Sequence, residues 1–66
     1  MTKVEEILKE LGIKCSLGTY EYDGKYHAIC YTRKQGETWV RKLEAAGYKA
    51  GIDYDNYAYM VVFVKK

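Results

Sequence analysis

The chain contains no proline, one histidine, one serine and two cysteines in 66 residues. Each scarcity removes a class of function. Without proline there is no proline-rich linker or polyproline ligand, and no stretch is low-complexity. Cys15 and Cys30 form no CxxC, and with His27 alone a four-ligand structural zinc site is implausible. Ser16 lies in an alternating stretch rather than in a nucleophile elbow. There is no GxGxxG, P-loop or HExxH. The longest apolar run is residues 57–64, far below the roughly 20 residues of a membrane helix. The start, Met1 to Glu6, is polar and acidic and has no signal-peptide core. These features predict a soluble, cytoplasmic chain with no membrane contact. Charge of one sign is scarce as well. Eleven basic and nine acidic residues leave +2, too little to mark a nucleic-acid binder by net charge.

Large aliphatic side chains are also few. The 48% hydrophobic content includes eight Tyr, one Trp, two Cys and two Met. Set these and the alanines aside, and 14 residues remain, from Val4 to Val64. Such a short chain forms one domain, residues 1–66, and usually needs a staple, a metal or a partner.

What is present reads as one αββ unit used twice, residues 1–34 and 35–66. Val4, Ile7, Leu8 and Leu11 share one helical face. Thr2-x-x-Glu5 can cap that helix and Gly12 can end it, giving a span of 2–11. Residues 13–17 alternate like a strand. Asp23-Gly24 is a type I′ hairpin signal, and residues 26–33 return. The grammar then repeats. Thr32-x-x-Gln35 caps a helix with Trp39, Val40 and Leu43 on its apolar face, and Gly47 ends it. Residues 48–54 form a strand, Asp55-Asn56 a turn, and residues 57–65 the last strand.

Strands two and four are apolar or small on both faces, whereas strands one and three carry Lys14, Ser16, Lys49, Gly51 and Asp53. Central strands are buried more fully, and charged edges discourage pairing with other chains. The predicted fold is therefore α+β: a four-stranded antiparallel sheet, order 1-2-4-3, with both helices on one face. This connectivity resembles a ferredoxin-like sandwich, circularly permuted so that its last helix–strand pair comes first. A bulge at Gly18 would place Cys15, Leu17, Ile29 and Tyr31 under the helices, with Tyr48, Ala50, Ile52, Tyr59, Val61 and Phe63. Ala28, Cys30, Ala58, Met60, Val62 and Val64 would then form an uncovered apolar face, the predicted interface.

Chemistry-bearing groups are dispersed. His27 has no acid or nucleophile beside it in sequence, and the carboxylate pairs read as helix surface and turn chemistry. No catalytic residue, cofactor or metal is called for. The cysteines are expected as free thiols, as in a reducing compartment. Tyr20, Tyr22 and Tyr26 surround one hairpin tip, and Tyr54 and Tyr57 the other. They are candidate aromatic contacts, although the topology puts the tips at opposite ends. Arg33, Lys34, Arg41, Lys65 and Lys66 are candidate basic contacts. With small or aliphatic residues on the open face, base stacking there is disfavoured.

The functional expectation is a small non-enzymatic protein-interaction module, regulatory or inhibitory, of the kind viral and phage genomes encode. It would dimerise with itself through the open face or dock another protein. The alternative is a nucleic-acid binder that uses the tyrosine tips and basic residues.

Overall fold

The computed structural model describes residues 3–55 and 58–66. In chain order it comprises α1 (Lys3–Glu10), β1 (Thr19–Tyr22), β2 (Lys25–Cys30), α2 (Arg33–Ala45), β3 (Tyr48–Asp55) and β4 (Ala58–Lys65). The strands form one antiparallel sheet in the order β1-β2-β4-β3. This is the predicted α+β architecture and strand order. The Thr2 cap and the Asn56 turn lie outside the described residues, as does Tyr57.

Both helices form where the apolar spacing puts them. Val4, Ile7 and Leu8 of α1 and Gly36, Trp39 and Leu43 of α2 are buried. Together with Ala28, Cys30, Val61 and Phe63 of the sheet they make one core, so the two helices cover the same face. The N-cap of α2 is as predicted. Thr32 Oγ1 accepts from Gln35 N at 3.1 Å, and Gln35 Oε1 accepts from Tyr31 N at 2.9 Å. Such a cap contributes about 1 kcal/mol. Asp23 and Gly24 have φ of 54° and 74°, the paired positive values that a type I′ turn requires. That turn pairs Tyr22 with Lys25 and so sets the register of the first hairpin.

The register overturns part of the expected facing. Strand β1 is Thr19–Tyr22, not residues 13–17. Residues 13–18 instead carry the chain from α1 to the sheet edge. Ile13 turns into the core and donates its N–H to Leu8 O at 2.8 Å. Leu17 is exposed rather than placed under the helices. Counting back from the turn pairs Thr19 with Ala28, and Ala28 in turn opposes Val61. Directly opposed residues share a face. Ala28 and Cys30 therefore lie beneath the helices, 0% and 1% exposed, and do not belong to the open face. His27 and Ile29 face outward in their place, opposite Val62 and Met60.

The physical reason is the close approach of α2. A Cβ built on Gly36 would stand 3.1 Å from Cys30 Sγ and 3.4 Å from Ile52 Cδ1. A helix seated that low needs a small side chain below it, and Cys30 supplies it, while Ala28 is buried in the same core. Tyr31 is also displaced from its expected interior place. Strand β2 ends at Cys30, the α2 cap draws the chain off the sheet, and Tyr31 is 65% exposed.

Candidate functional site

The two faces of the sheet differ in cover. Among the described residues Ile29, Ala58, Met60, Val62 and Val64 take no part in the helix-covered core, and the loop approaches this face at Gly18, where a Cβ would stand 3.7 Å from Ile29 Cδ1. All five are half-buried. Ala58, Met60, Val62 and Val64 are where the sequence pattern put them, and Ile29 replaces Ala28 and Cys30.

The register builds this face in rows. One row runs Tyr20, His27, Val62, Gly51 across β1, β2, β4 and β3. The row nearer the first hairpin tip contains Tyr22 and Lys25, with Val64 opposite Lys49. On the other side Ile29 and Met60 are followed by Asp53. Lys25, Lys49, Gly51, Val62 and Val64 line a shallow groove of ≈ 240 Å³, deepened where Gly51 offers no side chain.

Tyr20 and His27 stack, with centroids 4.5 Å apart and planes 4° from parallel. Tyr22 approaches His27 edge-on at 6.4 Å. The Tyr20 ring reaches across β2, since its hydroxyl donates to Met60 Sδ on β4 at 3.1 Å. His27 Nδ1 lies 3.2 Å from the same sulfur. Aromatic rings and thioether sulfur attract favourably, and offset stacking adds about 0.5–1.5 kcal/mol. Tyr20 remains 42% and Tyr22 61% exposed. The expectation that only small or aliphatic residues occupy the open face is thus corrected. An aromatic cluster stands there because β2 presents His27 rather than Ala28.

The other sequence candidates disperse. Tyr26 packs against Phe63, with centroids 5.5 Å apart, on the helix face rather than at a binding tip. Tyr54 is exposed and rests on Tyr59, with centroids 4.9 Å apart, at the other end of the sheet. Arg33 pairs with Glu37 at 3.3 Å on α2, where Lys34 and Arg41 are also exposed. Lys65 ends β4, opposite Tyr48, and Lys66 N donates to Gly47 O. Arg33, Lys34, Arg41 and Lys65 do not join the open face, whereas Lys66, opposite Gly47, follows Val64 on that side of the sheet. Lys25, not singled out by the pattern, and Lys49, read as outward, lie there too. Period-2 alternation from Lys25 through His27 to Ile29 was the available signal.

A second concavity of ≈ 530 Å³ lies between α1 and residues 12–19, lined by Leu8, Ile13, Cys15, Glu5, Lys9 and Lys14 among others. No buried polar or charged side chain occurs among the described residues. Both cysteines are free. The single Cys15 thiol proton is shared between two acceptors, Gly18 O at 3.3 Å and Ile29 O at 3.2 Å from Sγ. Burial, and then the neighbouring Cys15, raise the Cys30 pKa, which keeps its thiol protonated and a poor nucleophile near neutrality. Among the described residues no three of His, Cys, Asp and Glu gather as a metal site. No described helix is long and apolar enough to cross a membrane. The chain matches no protein-family model, no curated protein and no solved structure.

Proposed function

We propose that the chain is a small non-catalytic protein-interaction module that acts by binding through the open face of its sheet. The observation that carries this reading is the apolar strip of Ile29, Met60, Val62 and Val64, uncovered by the helices and flanked by the Tyr20–His27–Met60 cluster. Tyr and Met beside an aliphatic centre are what interface cores favour, and charged residues stand at the rim. Lys25 and Lys49 mark one end of the strip. The matching partner is therefore an apolar ridge with carboxylates over that end. A second copy packed sheet to sheet is the other way to cover the strip.

The test compares the proteins captured by the native chain with those captured by Met60→Lys, Val62→Asp and, as a control on α2, Arg41→Glu. Capture lost with the first two and kept with the third supports the reading. The same capture with all four chains contradicts it.

A second reading, single-stranded nucleic acid, is favoured by the Tyr20–His27 stack, since rings on an open sheet serve as base platforms. It predicts a mobility shift at low salt that fades steeply as salt rises and is lost in Tyr20→Ala. No shift at low salt removes it.

A further inference from the structure

The sheet has two edges, and they are unlike. Strand β1 is four residues long, whereas β3 runs eight residues without proline. Two hydrogen bonds show which backbone groups of β3 point away from β4. Lys66 N donates to Gly47 O, which sets the odd-numbered residues toward β4. Tyr54 N instead donates to Asp53 Oδ1, so the even-numbered residues point outward. The N–H and C=O groups of Ala50 and Ile52 therefore face the free edge, because both backbone groups of a strand residue point to the same side.

We propose that β3 is a self-pairing edge, on which a second copy of the chain adds its own β3 antiparallel about a two-fold axis at Gly51. The choice of occupant rests on charge. Lys49 and Asp53 lie two residues either side of Gly51, on the open face. With Gly51 opposite Gly51 of the second copy, Lys49 stands opposite Asp53 of that copy, and the two-fold repeats the pair. Shifting the axis by one residue, to Ala50 or Ile52, loses this match. In the Gly51 register Ala50 and Ile52 of the second copy exchange N–H···O bonds, and Tyr48 meets the second copy's Tyr54, a side chain 58% exposed in the single chain. The glycines and the charge pairs fall at non-hydrogen-bonded positions, where side chains approach most closely. A copy of β3 in this register presents the opposite sign at each of the two charged positions, whereas a strand with like charges there is disfavoured. Pairing at this edge uses the outward backbone groups of β3, which the open-face reading does not, and shares with that reading Lys49 and Gly51 of the groove.

The test is sedimentation velocity of the whole chain up to about 0.5 mM, because a single strand pair is a small interface. The native chain is expected to dimerise reversibly. Lys49→Asp sets like charges opposite each other and weakens the dimer about tenfold. Adding Asp53→Lys to that variant restores it, which a loss of folding cannot imitate. Gly51→Lys opposes two ammonium groups across the axis and leaves a folded monomer by circular dichroism, since nothing lies within 4 Å of a Cβ at Gly51. A native monomer throughout, a charge swap that fails to restore pairing, or a dimer that survives Gly51→Lys overturns the proposal. A dimer broken by Val62→Asp but not by Lys49→Asp also overturns it and assigns self-association to the open face.

Discussion

On β4, Val61 and Phe63 are buried against the helices, while Val62 and Val64, of the same chemical kind, stand half-exposed on the other side. One strand thus serves two purposes on alternate residues. On the helix face an apolar side chain supplies the free energy of folding, because water is excluded all around it. On the open face a similar side chain gives up only part of its water when the chain folds. What it can still bury is available for association. Substitutions on the first face should cost stability, and substitutions on the second should cost binding.

The sharpest contrast is between neighbours. Phe63→Ala is expected to cost about 3–5 kcal/mol, most of what holds so small a domain, whereas Val62→Ala costs about 1 kcal/mol or less. Urea titrations of the two variants check this, and equal costs would erase the distinction between the faces. Next in size is the contact under α2. Gly36→Val drives a branched side chain into Cys30 and Ile52 and should destabilise by about 1–3 kcal/mol. Cys30→Ala in the same chain should recover part of that loss. If the second substitution makes matters worse, α2 does not sit as low on β2 as the Gly36 approach requires.

The smallest effect is a pH dependence. The Cys30 thiol has its pKa raised in the folded chain by burial first and by Cys15 second. Its contribution to stability is therefore complete below the ordinary thiol value of 9.0 and is lost as pH rises through the folded value. The native chain should lose more stability between neutral and strongly alkaline pH than Cys30→Ala does. Every other ionisable side chain is common to both chains. Parallel losses would mean that the Cys30 environment is not apolar.

Much of this fold was legible from residue order. Strand order followed from where apolar residues fill both faces and where Lys49 and Asp53 interrupt them. The caps at Thr32 and Gly47 and the turn at Asp23-Gly24 each have a local cause and were read correctly. Facing was harder, because it depends on a count carried across a hairpin. Residues 13–17 alternate like a strand, yet the two-residue turn reaches back only to Thr19 before Gly18, at φ 148°, turns the chain away. Starting the count in the wrong segment placed Ile29 rather than Ala28 under the helices. That single step hid the candidate site. His27 reads as an isolated surface residue and Tyr20 as one of the ring of tyrosines at a hairpin tip, and the Tyr20–His27 pairing brings their rings onto Met60. In the second hairpin, Ala50, Ile52, Val61 and Phe63 face as expected because β3 and β4 were identified correctly.

Everything assigned to the open face rests on which side of β2 looks outward. Thermal unfolding of Ala28→Lys beside Ile29→Lys measures that directly. An ammonium at residue 28 has no water and no partner in the core, so Ala28→Lys should abolish cooperative unfolding, while Ile29→Lys should unfold cooperatively near the native midpoint. A stable Ala28→Lys with a collapsed Ile29→Lys would contradict the account and return Ala28 and Cys30 to the exposed face.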